Sequence, residues 1–269
     1  MKYRNRIWLL AVFAFLFSCS NKSAPSRGKN KDILTVMTYN VHHCNPPGKP
    51  GVIDVDAIAA VIKKEQADVV AVQEVDVNTG RSGGINQAAL LAQKAGYPSF
   101  YFARAMDFDG GQYGLLILSR YPLSDTRTYP LPSDNPQKDE PRILATSTVT
   151  LPDGSAFRFG STHLEAYNPA SRLLQIKEIN RIADEMSLPF IVAGDLNAEE
   201  KSEVITTLDQ DFVRTCSNCP DTFDEEKESG AIDYIAFKKK ASFTVVSHRV
   251  VQNKEASDHM PVIAALRLK

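Results

Sequence analysis

Short apolar runs, most of them closed by a polar residue, recur along this chain from residue 33 onward. Ile33 to Val41, Asp68 to Val75, Ser99 to Arg104, Leu115 to Ser119, Ile143 to Leu151 and Ala156 to Thr162 have the length and β-branched or aromatic content of strands. Pro189 to Ala193, Ile232 to Phe237, Phe243 to Val251 and Pro261 to Leu268 continue the series. Three stretches change to helical spacing. Val55 to Gln66 carries Ile58, Val61 and Ile62 on one face after Asp54, a capping residue; Ile85 to Ala95 stops at Gly96; Pro169 to Met186 aligns Leu173, Leu174, Ile176, Ile179 and Ile182. Asp153-Gly154 predicts a hairpin turn. Strands and helices alternate in both halves, which predicts an α/β protein: a four-layer αββα sandwich of two packed mixed sheets flanked by helices. No boundary divides residues 32–269.

The polar residues at the run ends carry the chemistry. Asn40, Glu74, His163, Asp195 and Asn197 follow apolar runs, Asp233 opens one, and Asp258-His259 comes just before the last. Such side chains cost desolvation unless they converge on a shared ligand or ion. Carboxylates, imidazoles and amides in this arrangement read as a metal-assisted hydrolase site. Glu74, Asn40 and Asp258 are the candidate metal ligands, because hard divalent cations select oxygen donors. Asp195 is placed to polarise a water, and Asn197 to donate to a phosphate oxygen. An Asp233–His259 pair would act as base or as a charged stabiliser, with His163 on the opposite side. Each residue alone has a plainer reading: an arginine partner for Glu74, a loop cap for Asn40, an Asx turn for Asp195 and Asn197, a satisfied core position for either histidine.

The first residues follow a different logic. Lys2, Arg4 and Arg6 precede an apolar run from Ile7 to Phe17, then Ser18-Cys19. That run is about 11 residues, too short to span a bilayer, and the pattern is that of a signal peptide over residues 1–18. Leu16-Phe17-Ser18-Cys19 resembles a relaxed bacterial lipobox, so Cys19 is expected to be lipidated and residues 19–31 to serve as a polar tether. The expected location is an exported lipoprotein, facing the periplasm or cell surface of a bacterium. Cys216-Ser217-Asn218-Cys219 lacks a second cysteine pair for zinc, leaving a small disulfide loop or free thiols. The 269 residues are 43% hydrophobic and 23% charged with a formal net charge of −1. No global basic field marks nucleic acid as the partner, although a local groove is compatible with it.

Asn40, Gln73-Glu74, Ser161-Thr162-His163, Gly194-Asp195-Leu196-Asn197, Ile232-Asp233-Tyr234 and Ser257-Asp258-His259, in this order, resemble the endonuclease/exonuclease/phosphatase superfamily. That resemblance implies a DNase-I-like sandwich and hydrolysis of phosphoesters with Mg²⁺, Mn²⁺ serving as a substitute. It also implies that Tyr113 and Arg120 line the cleft. Leu115 departs from the pancreatic-type nucleases, which carry a glutamate there to support the first histidine. Val77 to Gly84 is similar to an exported bacterial subgroup and to glycosylphosphatidylinositol-remodelling relatives, which puts Arg81 and Arg172 near the substrate. The expected partner is a small or lipid-linked phosphoester, with the membrane reached through the lipid anchor. Nucleic acid as substrate of an exported nuclease is the alternative, and a non-catalytic binding module a third. A monomer is expected.

Overall fold

The computed structural model describes residues 32–225 and 228–268. The signal-peptide, Cys19 and tether assignments lie outside the described residues. The elements are β1 (Ile33–Asn40), α1 (Val55–Glu65), β2 (Val69–Val77), α2 (Gln87–Ala95), β3 (Ser99–Phe108), β4 (Gly111–Ser119), β5 (Leu123–Pro130), β6 (Ile143–Thr150), β7 (Ala156–His163), α3 (Pro169–Asp184), β8 (Phe190–Asp195), α4 (Glu203–Asp211), β9 (Phe212–Arg214), β10 (Phe223–Glu225), β11 (Glu228–Gly230), β12 (Asp233–Lys238), β13 (Phe243–Val250) and β14 (Val262–Leu268).

Two six-stranded sheets form, in the orders β13-β14-β1-β2-β4-β3 and β5-β6-β7-β8-β12-β9. Period-2 alternation sends Leu34, Val36, Val69, Ala71 and Ile117 inward against Ala145, Phe157, Phe159, Ile191 and Ile235 of the second sheet. The opposite faces bury Met37, Val70 and Val72 under Ile58, Ile62 and Leu91 of α1 and α2, and Phe190, Val192 and Tyr234 under Ile176, Ile179 and Leu208 of α3 and α4. This is the αββα sandwich that the strand and helix pattern predicts, with the DNase-I-like architecture that the resemblance implies. Phe159 is fully buried between the sheets; truncating such a ring costs about 3–5 kcal/mol.

Local signals set the helix ends. Asp54 accepts from the Ala57 amide, and Gly96 closes α2 in the left-handed region at φ 79°. Asn168 caps α3 ahead of Pro169. The helix α4 and the edge strand β5 were not among the expected elements. Ser202, which caps α4 by accepting from Ile205, and the apolar spacing Val204, Ile205, Leu208 are the signal that marks the helix. Strand β5 has mostly exposed residues and so little apolar pattern to read. Cys216 and Cys219 form a disulfide, while Cys44 is buried and free. No described helix is long and apolar enough to cross a membrane.

Register positions the site. Parallel pairs β1–β2 and β7–β8 place Asn40 opposite Gln73 and His163 opposite Asp195 at their carboxyl ends. Strand β12 enters antiparallel at that same end, with Asp233 opposite Asp195. Gly194 permits the close β7–β8 approach, since a Cβ there would fall 2.0 Å from the Thr162 carbonyl oxygen. Crevices outside the carboxyl ends of parallel strands are where open α/β sheets bind ligands.

Candidate active site

A cavity of about 1350 Å³ opens over these strand ends. Its floor is continuous: the Asn40 amide donates to Glu74 Oε1 at 3.0 Å and to Asp195 Oδ2 at 3.1 Å. Asp195 Oδ2 also lies 3.5 Å from His163 Nε2 and 3.6 Å from His259 Nε2. Behind His259, Nδ1 meets Asp233 Oδ2 at 2.9 Å, and Thr222 donates to that same oxygen at 2.6 Å. Ser257 ties the Asp258-His259 turn to the Asn40 carbonyl at 2.8 Å. Glu74 and Asp258 both line the cavity, joined through His43 and His42, whose Nδ1 atoms lie 3.8 Å from Glu74 Oε2 and 3.7 Å from Asp258 Oδ2.

Backbone strain marks the same place. A register shift between Val72 and Val75 bulges β2 at Glu74, which sits at φ 59°. Bulges re-aim side chains, and non-glycine residues in this region are held there by their surroundings. Asn197 takes φ 47° while its amide N–H donates to Asp195 Oδ1 at 2.9 Å, which is an Asx turn. One Asn197 side-chain hydrogen goes to the Leu164 carbonyl at 3.0 Å, and a primary amide keeps a second donor.

The two imidazoles titrate in opposite directions. Burial, reinforced by the Arg142 charge, pushes His163 well below its ordinary value and leaves it neutral. For His259, burial acts downward but the carboxylates of Asp233 and Asp195 prevail and raise it to about 10. Burial and the Asp233 charge raise Asp195 above its ordinary range. Glu74 goes the other way: despite burial, the adjacent His43 ring and the Asn40 amide hold it far below the usual carboxylate range.

Asn40, expected beside the metal, ties two carboxylates together through its amide. Its Oδ1 accepts the His42 amide N–H at 3.1 Å, and that N–H can only donate. The Asn40 NH₂ therefore faces both carboxylates, which it bridges. Arg120 departs from its expected place in the cleft. It follows Ser119, whose partner is Val69 at the start of β2, so it stands at the far end of the sheet from Glu74. There it donates to the Ala67 carbonyl at 2.9 Å and stacks over Tyr97; it does not line the cleft. Tyr113, Arg81 and Arg172 do line it. Arg81 is forked onto fully buried Asp76 at 2.7 and 2.9 Å and lies 4.5 Å over the Phe108 ring. Arg172 donates to the Glu165 and Ala166 carbonyls at 2.9 and 2.5 Å.

Several site residues were not picked out from the sequence. His42 and His43 follow Asn40 directly, so their nearness was visible. Arg142 stands before the apolar β6 run, a position where a charge is unusual. Thr222 and Phe223, the latter 4.9 Å from the His259 ring, offer no local signal at all. Leu115 leaves His163 Nδ1 buried without a partner.

Metal-ligating chemistry is present. Asp195, Asp233 and His259 present ligand atoms within 4.8 Å of one another and could hold an ion. His259 there is held protonated between two carboxylates, so a cation must first displace that proton. Ionised Glu74, partly open to the cavity, suits a hard oxygen-seeking cation without that competition.

Fold and site together define the class of DNase-I-like α/β sandwiches. Residues 37–259 match the sequence profile of the Endonuclease/Exonuclease/phosphatase family, and the chain belongs to this family, whose members are metal-dependent phosphoesterases. No curated protein sequence matches it. Among solved structures, an endonuclease/exonuclease/phosphatase from Beutenbergia cavernae DSM 12333 is similar at 27% identity and TM-score 0.73, covering 88% of this chain and 72% of that one. A family protein from Bacteroides vulgatus is similar at 21% identity and TM-score 0.71, covering 88% and 99%. The mannosyl-6-phosphatase of Bacteroides thetaiotaomicron VPI-5482 shares the fold at 18% identity and TM-score 0.65, covering 87% and 99%.

Proposed function

We propose that this chain is a Mg²⁺-dependent hydrolase, with Mn²⁺ as a substitute, that cleaves phosphodiester bonds of a small or lipid-linked substrate at the bacterial cell envelope. The observation that carries the reading is one carboxylate, Asp195, faced by a neutral imidazole at 3.5 Å and a cationic one at 3.6 Å. Phosphoester hydrolysis needs those capacities side by side: a group that takes a proton from water, and cationic or donor groups for phosphate oxygens. Asp195 holds the water's proton. His163 and the remaining Asn197 donor bind phosphate oxygens, and His259, kept charged by Asp233, stabilises the developing charge. Glu74 and Asp258 would hold the cation, which when bound polarises a phosphoryl oxygen.

The finer parts of the reading rest on sequence. The loop Val77 to Gly84, similar to exported and glycosylphosphatidylinositol-remodelling relatives, supports a lipid-linked substrate. The basic and apolar start of the chain and Cys19 support export and a lipid anchor on a monomer. Turnover of bis(4-nitrophenyl) phosphate and of phosphoinositide vesicles by the purified chain, in Mg²⁺, Mn²⁺ or chelator, tests the chemistry. Metal-dependent cleavage of these substrates with intact plasmid DNA is the expected result. Salt-sensitive plasmid degradation would transfer the reading to an exported nuclease, and no turnover of any phosphoester with either ion would end it. Cys19→Ala should release the protein from membranes; retention there would sink the anchor.

A further inference from the structure

The wall of the cavity that carries His163 holds a cationic feature that the proposed chemistry does not use. Arg142 is 5% exposed, yet it lines the cavity. Its Nη2 pairs with Glu140 Oε2 at 2.6 Å, whereas its Nε is buried and makes no hydrogen bond. Glu165 Oε2 forms an ion pair with Nε at 3.7 Å, beyond hydrogen-bond distance. That oxygen already receives the Glu140 amide at 3.2 Å, and Glu165 Oε1 receives the Tyr167 amide at 3.0 Å. Buried donors without acceptors are uncommon in folded proteins.

Arg172 reaches the same segment and lines the same cavity. It uses Nη1 on the Glu165 and Ala166 carbonyls, and among the described residues no carboxylate lies within ion-pairing distance of it. Two guanidinium-bearing residues thus line the same cavity as His163 and Tyr167. Glu140, the closer of the two carboxylates paired with Arg142, has a side chain 41% exposed and can swing into solvent, whereas Glu165 is buried. Burial and the like charges of Glu74 and Glu165 hold its carboxyl above the ordinary range, so it is a poorly settled partner.

We infer that Arg142 and Arg172 form an anion subsite for a phosphate-type group of the substrate, with Glu140 as the resident counter-charge that the ligand displaces. A planar guanidinium fork matches phosphate oxygens two at a time, and a displaceable carboxylate makes the subsite selective for a ligand that brings its own charge. This deepens the hydrolase reading and rests on it for the word substrate. The anion binding itself does not.

Calorimetric titration of the full chain with inorganic phosphate, in chelator so that no metal contributes, tests the subsite. Arg142→Gln should weaken phosphate binding tenfold or more, Arg142→Lys should weaken it less, and Glu140→Gln should tighten it several-fold. Glu140→Gln alters an exposed side chain and guards against an Arg142 variant that merely fails to fold; melting curves check both. Unchanged binding in a folded Arg142→Gln protein, or no phosphate binding by either the wild type or Glu140→Gln, overturns the inference. Arg142-dependent phosphate binding without hydrolysis of any phosphoester would retain the subsite and remove the hydrolase. Hydrolysis with a phosphate affinity indifferent to both positions would do the reverse.

Discussion

Polar clusters stand at the two ends of the β1 and β2 strands, the cavity end shared with the second sheet, and the two clusters are built to opposite specifications. At the end away from the cavity, Asp68 accepts the Thr35 amide at 2.8 Å and the Tyr121 hydroxyl at 3.2 Å. Arg120 and Tyr97 both donate to the Ala67 carbonyl at 2.9 Å, and their side chains stack. Every one of these groups locks one strand to its neighbour. At the cavity end, Asp233 Oδ1, His163 Nδ1, His43 Nδ1 and Arg142 Nε are buried without a hydrogen bond, Glu74 and Asn197 sit at positive φ, and one imidazole is neutral while the other is cationic. Both ends hold a buried aspartate and an arginine. Unmet bonding capacity and strain distinguish a site from a staple.

The largest contrast should appear in turnover. Asp195→Ala or His259→Ala is expected to lower kcat by about 10²–10⁴-fold with the fold intact, whereas Arg120→Ala leaves kcat within about twofold. Equal losses in all three, measured on bis(4-nitrophenyl) phosphate, would erase the distinction between the two ends. Next in size, Glu74→Gln should raise the Mg²⁺ concentration needed for half-maximal activity by roughly 10–100-fold; a metal titration of rate reads this directly. Stability should then invert the comparison. Asp68→Ala strands the Thr35 amide and should cost about 1–3 kcal/mol in urea unfolding with kcat unchanged.

The smallest effect concerns pH. Asp233 and Asp195 raise His259 from its ordinary 6.5 to about 10. A raised imidazole contributes stability that is fully present below its unfolded value and is lost as pH rises through the folded one. Without metal, the stability advantage of wild type over Asp233→Asn should therefore be greatest below about pH 6.5 and fade toward about pH 10. An advantage independent of pH across that window would show that the pair is not ionised.

Much of the fold was written in local pattern. The alternation of Leu34, Val36 against Met37, Tyr39 fixes which face of β1 meets the second sheet and which meets the helices. Asp54 and Gly96 fixed helix ends because capping depends on a few adjacent residues. Strand β5 was not legible because its residues face water on an edge. The candidate site was legible where a polar residue ended an apolar run, as at Glu74, His163 and Asp195. Arg120, which the resemblance placed in the cleft, also follows an apolar run yet stands at the wrong end, since a strand has two ends and sequence spacing does not say which one faces the cavity.

The chain's own order of residues determined the strands, the helices and the set of polar side chains that must find partners at the strand ends. Tertiary structure alone decided who those partners are. Pairing β7 beside β8, β12 against β8 and β14 against β1 joins residues far apart in the chain. Only that packing buries His163 beside Arg142 and His259 between two carboxylates, and so leaves one of two chemically identical side chains neutral and the other positively charged.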